Sequence, residues 1–129
     1  PDLADALVLI SSAVDPKAEK YFKAGKLANP GCFFRGCVPS PMRVANDEKL
    51  THAEELRKII YIWKEIRQPT VILQALDDHI VYPRNGHFLD SALVHSRHTY
   101  IQVNNGGHLI TWSHPNLVRT ELLKLKAQL

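Results

Sequence analysis

Thr99-Tyr100-Ile101-Gln102-Val103-Asn104-Asn105-Gly106-Gly107-His108 reads as a buried strand that runs into a glycine turn and ends on a histidine. Thr, Tyr, Ile and Val suit a pleated backbone. Two asparagines and two glycines then stop the strand, because glycine accepts backbone angles that other residues avoid. The spacing therefore predicts a strand over 99–103, with His108 just past its end, where open α/β sheets carry their ligand sites. A second stretch repeats the design. Thr70-Val71-Ile72-Leu73-Gln74-Ala75-Leu76 is a strand that empties into Asp77-Asp78-His79, so here the loop brings carboxylates.

Outward from this pair, the remaining elements follow from periodicity. Ala6 to Ser11 is a short apolar run, as expected of a strand covered on both faces. Ser12 to Pro16 turns the chain out of the sheet, and Lys17 to Leu27 is predicted as a short helix weakened by Gly25. From Asn29 to Asn46, Pro30, Gly31, Gly36, Pro39 and Pro41 predict no regular structure of any length. That loop nevertheless carries Phe33, Phe34, Val38, Met42 and Val44, so residues 17–50 are expected to form an insertion lying over the strand ends. Thr51 and Glu54 have the spacing of a capping box. Leu56, Ile59, Ile60, Trp63 and Ile66 then recur as one apolar stripe, up to Pro69. A helix over about 84–94 buries Phe88, Leu89, Ala92 and Leu93. A last helix starts at Ser113 or His114 with Pro115 in its first turn, and buries Val118, Leu122, Leu125 and Leu129. Helix and parallel strand alternate, which makes the fold class α/β with three parallel strands and flanking helices.

The bulk numbers exclude several classes. The chain has 129 residues, 45% of them hydrophobic, enough for one unit with a core. The net charge of +3 comes from scattered Lys and Arg, with no basic run interleaved with aromatics, so no nucleic-acid partner is expected. No apolar run is long enough to span a bilayer, and no membrane association is expected. Cys32 and Cys37 stand alone as a C-x4-C pair and are expected to be two reduced or partly buried thiols; nothing else points to an oxidising compartment, and a cytoplasmic setting is favoured. No third ligand is spaced to close a metal site around His95 and His98 or around Asp78 and His79, and no metal or cofactor is expected. The chain opens at Pro1, and an apolar run follows at once. This suggests one portion of a longer or split protein.

Three pieces, taken in order, resemble the C-terminal half of the α/β-hydrolase-fold family. Pro1 to Ser11 resembles the family's P-x-x-V-x-x-L-V-L-x-S strand. Pro69 to Asn85 resembles its P-x-x-x-x-x-G-x-x-D-x-x-V-P-x-x-N segment, with Ala75 in place of the glycine. Gly106-Gly107-His108 resembles its histidine turn, with Trp112 and Pro115 placed as in many members. The resemblance leaves out about Lys17 to Lys49, which corresponds to the family's variable cap. It implies that residues 1–129 are the C-terminal portion of one α/β-hydrolase domain.

By the same resemblance, Asp78 falls on the triad acid, with Asp77 as its rival by one position, and His108 falls on the base. The family's nucleophile lies in a G-x-S-x-G turn before the first strand seen here. None of Ser11, Ser12, Ser40, Ser91, Ser96 and Ser113 has flanking glycines. Cys37 has the right chain order for a nucleophile but lacks the strand before it and the helix after it. Phe33, Phe34, Met42 and Trp112 form a candidate apolar acyl pocket, or else only seal the sheet edge. Without the triad, Asp78 would cap the helix near Arg84, and His108 would donate to a nearby carbonyl. Asp77 would cap that helix or face water. His79, His87, His95 and His98 are expected to be solvated. Two functions follow. The chain supplies the acid and histidine of a serine hydrolase acting on a small acyl substrate and completed by an N-terminal segment, or it is a non-catalytic interaction module that self-associates or binds a partner.

Overall fold

The computed structural model describes residues 3–18 and 40–129, with backbone alone for 40–43, 45–47, 49 and 50. Strands β1 (Leu7–Ile10), β2 (Thr70–Ala75) and β3 (His98–Val103) form one parallel sheet in the order β1-β2-β3. Helix α1 (Ser40–Ile59) continues as a 3-10 helix over Ile60–Glu65, between β1 and β2. Helix α2 (Arg84–Ala92) joins β2 to β3, and α3 (Ile110–Ser113) and α4 (Pro115–Lys126) close the chain.

Strand β2 is buried along its whole length. Its side chains alternate, so one continuous apolar run supplies two cores. Val71, Leu73 and Ala75 meet Val103, Ile110 and Leu125 on one face. Ile72 meets Val14, Leu89 and Leu93 on the other. Removing a side chain such as Leu73 or Leu89 from water stabilises the fold by about 1.5–3 kcal/mol. Helix α2 lies unusually close to the sheet at Gly86. A Cβ there would stand 2.7 Å from Tyr100 Oη and 2.9 Å from Gln74 Cβ, so only glycine fits.

The segment leaving β1 is tied to the start of α2. Ser11 takes a left-handed φ of 46° and turns the chain out of the ladder, while its N–H still donates to the Leu73 carbonyl at 3.0 Å. Buried Asn85 then accepts the N–H groups of Val14 and Asp15 at 2.8 and 2.9 Å. Arg84 Nε donates to Asp15 Oδ2 at 2.7 Å.

Several expectations are corrected. Residues 40–46 are helical, although prolines predicted otherwise: Pro41 lies in the first turn, where no intrahelical N–H is needed. Thr51 is therefore inside α1 rather than at its start, and its hydroxyl donates to the Glu48 carbonyl at 3.1 Å, the local bond open to a threonine within a helix. The stripe from Leu56 to Ile66 breaks where the helix tightens to 3-10. Leu56 is buried, but Ile59 and Ile60 are exposed, and Trp63 and Ile66 pack beside Ile72. On α4 the inner face is Leu117, Val118, Glu121 and Leu125, whereas Leu122 and Leu129 are exposed. Most of the expected helix over 17–27, together with Cys32, Phe33, Phe34 and Cys37, lies outside the described residues. No described helix is long and apolar enough to cross a membrane.

Candidate functional site

The loops after β2 and β3 lie side by side because their strands are neighbours in register, with Ala75 opposite Val103. The Leu76 N–H donates to the Val103 carbonyl at 2.9 Å, one step beyond the ladder. Past that point the first loop carries Asp77 and Asp78, and the second carries the glycine turn and His108.

Asp78 is 1% exposed. Its Oδ1 accepts the N–H groups of Ile80 and Val81, both at 2.9 Å, so its own loop folds around it. Its Oδ2 lies 3.0 Å from His108 Nδ1. Gln74, the last polar group on the buried strand, places Nε2 3.5 Å from the same Oδ2 and donates to the Val81 carbonyl at 3.1 Å. Burial pushes the Asp78 carboxyl up. The hydrogen bonds from His108, Val81 and Ile80, and then the charge of His108, outweigh burial and hold it below its ordinary value. An ionised carboxylate only accepts, so His108 Nδ1 carries the proton in this pair. The His108 side chain is 31% exposed, and its Nε2 has no partner among the described residues. An imidazole fixed at Nδ1 and open at Nε2 can accept a proton from a hydroxyl and later release it.

Asp77 goes elsewhere. Its Oδ1 accepts the N–H groups of Gly106 and Gly107, each at 3.0 Å. It does not cap α2, and neither does Asp78: the N–H groups of Asn85, Gly86 and His87 at the start of that helix go to the carbonyls of Tyr82 and Pro83. The bond from Gly107 is the largest of the effects that hold the Asp77 carboxyl below its ordinary value. The turn needs its glycines for two reasons. A Cβ on Gly106 would stand 3.0 Å from Ala75 Cβ and 3.1 Å from Val103 Cγ1, and Gly107 has φ 57°.

Trp112 stands on α3, four residues after His108, and is 77% exposed. Leu76, Ile80 and Leu109, each next to or near the acid or the histidine in sequence, are exposed as well. Met42 lies in the first turn of α1 and its side chain is not among those described; Phe33 and Phe34 lie outside the described residues. His98 is not solvated: it belongs to β3, is half-buried, and contacts the Ser96 carbonyl at 3.1 Å and Asp90 at 3.3 Å. His87 packs edge-on to Tyr100 at 5.5 Å. No group of three metal-ligating side chains is found among the described residues. A cleft at the opposite, amino edge of the sheet is lined by Thr70, Val71, Arg97, Thr99, Leu125 and Gln128 and includes neither Asp78 nor His108.

Sequence reasoning missed the part played by Asp77, the short helix α3, and Ser113, whose Oγ donates to the Gly106 carbonyl at 2.8 Å. The signal for Asp77 was weak, since a loop carboxylate and a glycine turn thirty residues on share no local pattern.

No protein-family model matches the sequence, and no curated protein matches it significantly. Among solved structures, BpoC from Mycobacterium tuberculosis H37Rv, described as a candidate non-heme bromoperoxidase, is similar with a TM-score of 0.60 and 17% identity. The match covers 99% of this chain and 59% of that one. Rv0554 from Mycobacterium tuberculosis is similar with the same TM-score and identity, over 100% of this chain and 58% of that one. The fold is thus α/β, three parallel strands with flanking helices, and it matches part of the α/β-hydrolase-type fold of those two structures. The chain spans about three-fifths of the length of the structures it matches.

Proposed function

We propose that this chain supplies the acid and the base of an acyl hydrolase of the α/β-hydrolase fold, with the serine nucleophile carried on a segment outside these 129 residues. The observation that carries this reading is the 3.0 Å contact between His108 Nδ1 and buried Asp78 Oδ2 at the carboxyl edge of the sheet. His108 Nε2 takes the proton of the serine hydroxyl as its oxygen attacks an ester or amide carbonyl. Asp78 stays ionised, keeps the ring in the Nδ1–H form and stabilises the imidazolium. The proton then passes to the leaving group, and water completes a second round by the same path.

The test uses a longer protein that joins this chain to an upstream segment bearing a G-x-S-x-G turn. A fluorophosphonate probe is expected to label that serine. His108→Ala is expected to lower ester turnover by roughly 10⁴–10⁶-fold and to abolish labelling. Equal labelling of the histidine variant would end this reading.

A second reading, a non-catalytic interaction module, draws support from the outer edge of β1, which pairs with no described strand. The two part on turnover: a module binds its partner equally well with Asp78→Asn and hydrolyses nothing.

A further inference from the structure

The two adjacent carboxylates of the β2 loop reach different parts of the β3 loop. Asp78 meets the ring of His108, and Asp77 meets the main chain one and two residues before it. We propose that Asp77 is a positioning residue, which holds the turn over 104–107 in the one shape that sets the His108 ring on Asp78. This rests on the reading of His108 as the base.

Three observations carry it. The turn does not fix its own shape: Asn105 at φ 55° and Gly107 at φ 57° are both left-handed, and glycine enters that region about as readily as the others open to it. Without external bonds such a turn would relax into other conformers. Its consecutive N–H groups converge on one oxygen, a concave arrangement that suits an anion. Finally, Gly106 is restrained at other points too. Its carbonyl accepts from Ser113 Oγ at 2.8 Å, and a Cβ on it would stand 3.0 Å from Ala75 Cβ and 3.1 Å from Val103 Cγ1. Asp77 supplies the remaining restraint, and it does so from the same loop that carries Asp78. A single loop therefore restrains both the turn just before the histidine and the histidine ring.

The tautomer of His108 reports on this without any turnover. In the 129-residue chain at alkaline pH, ring nitrogen NMR is expected to show the Nδ1–H form. Asp77→Ala is expected to shift the Gly106 and Gly107 amide protons and to move the ring towards the Nε2–H form that predominates in free histidine. Asp77→Asn keeps a side-chain carbonyl that can accept both N–H groups, and is expected to restore the Nδ1–H form. Asp78→Asn serves as the contrast: it is expected to alter the ring while leaving both glycine amides in place. Should the alanine variant not fold, Asp77→Ser, too short to reach both amides, is read in the same way. A folded alanine or serine variant that keeps the wild-type ring pattern would overturn the proposal, as would failure of Asp77→Asn to restore it. If the longer protein hydrolyses nothing, the hydrolase reading fails, while the tautomer still decides the role of Asp77.

Discussion

At the scale of single residues, the decisive contrast is between Asp77 and Asp78. Both follow the same strand, both are carboxylates, and the sequence ranks them only by resemblance. The structure separates them by burial and partners: Asp78 is enclosed and bonded to the histidine, and Asp77 is exposed and bonded to backbone. The difference has a consequence for pH. The Asp78 carboxyl lies below its ordinary value of 3.8 in the folded chain. Its contribution to stability is therefore complete above that value and is lost as pH falls through the lower, folded value. Asp78→Asn is expected to lower the urea midpoint near neutrality and to flatten its fall on the acid side. Midpoints measured across a pH series check this. An acid limb identical to that of the wild type would contradict the sign.

At the scale of elements, the strands were legible to within a residue or so, because β-branched runs bounded by proline, aspartate and glycine admit one reading. Helix α4 shows where such reading fails. A period of 3.6 says that one face is buried, but small errors in phase choose the wrong leucines. Leu125 is buried against Val71 and Leu73, while Leu122 is 46% exposed. Leu125→Ala is accordingly expected to cost about 2–5 kcal/mol. Leu122→Ala is expected to stay within about 0.5 kcal/mol of wild type. Leu125 belongs to the expected and to the observed face alike, so urea unfolding of the Leu122 variant decides, and a loss as large as that of Leu125→Ala would restore the expected face over Val118, Leu122, Leu125 and Leu129. The start of α1 failed for another reason. Ser40-Pro41 is itself a helix-start signal, but it stands among Pro39 and other breakers that outweigh it in a local count.

At the scale of the whole molecule, β1 has β2 on one side and no described strand on the other. Its four residues are all half-buried, so the strand offers both unpaired backbone and apolar side chains. Such an edge invites a further strand. The 129-residue chain is therefore expected to associate as its concentration rises, and Val8→Lys is expected to reduce that association, both measured by sedimentation. A chain that stays monomeric over a wide range of concentration would show the edge to be protected.

By itself, the sequence determined the strands and the two loops that carry Asp77, Asp78 and His108, because each of these is set by residues close together along the chain, while the alternation of helix and strand implied their parallel pairing. It also placed His108 after a glycine turn, since glycine's freedom there is a local property. Only the tertiary structure decided which aspartate meets the imidazole, what holds the turn, and which face of each helix is buried. Those depend on distances between segments some thirty residues apart, set by the register of β2 on β3 and by the close seat of Gly86 against the sheet.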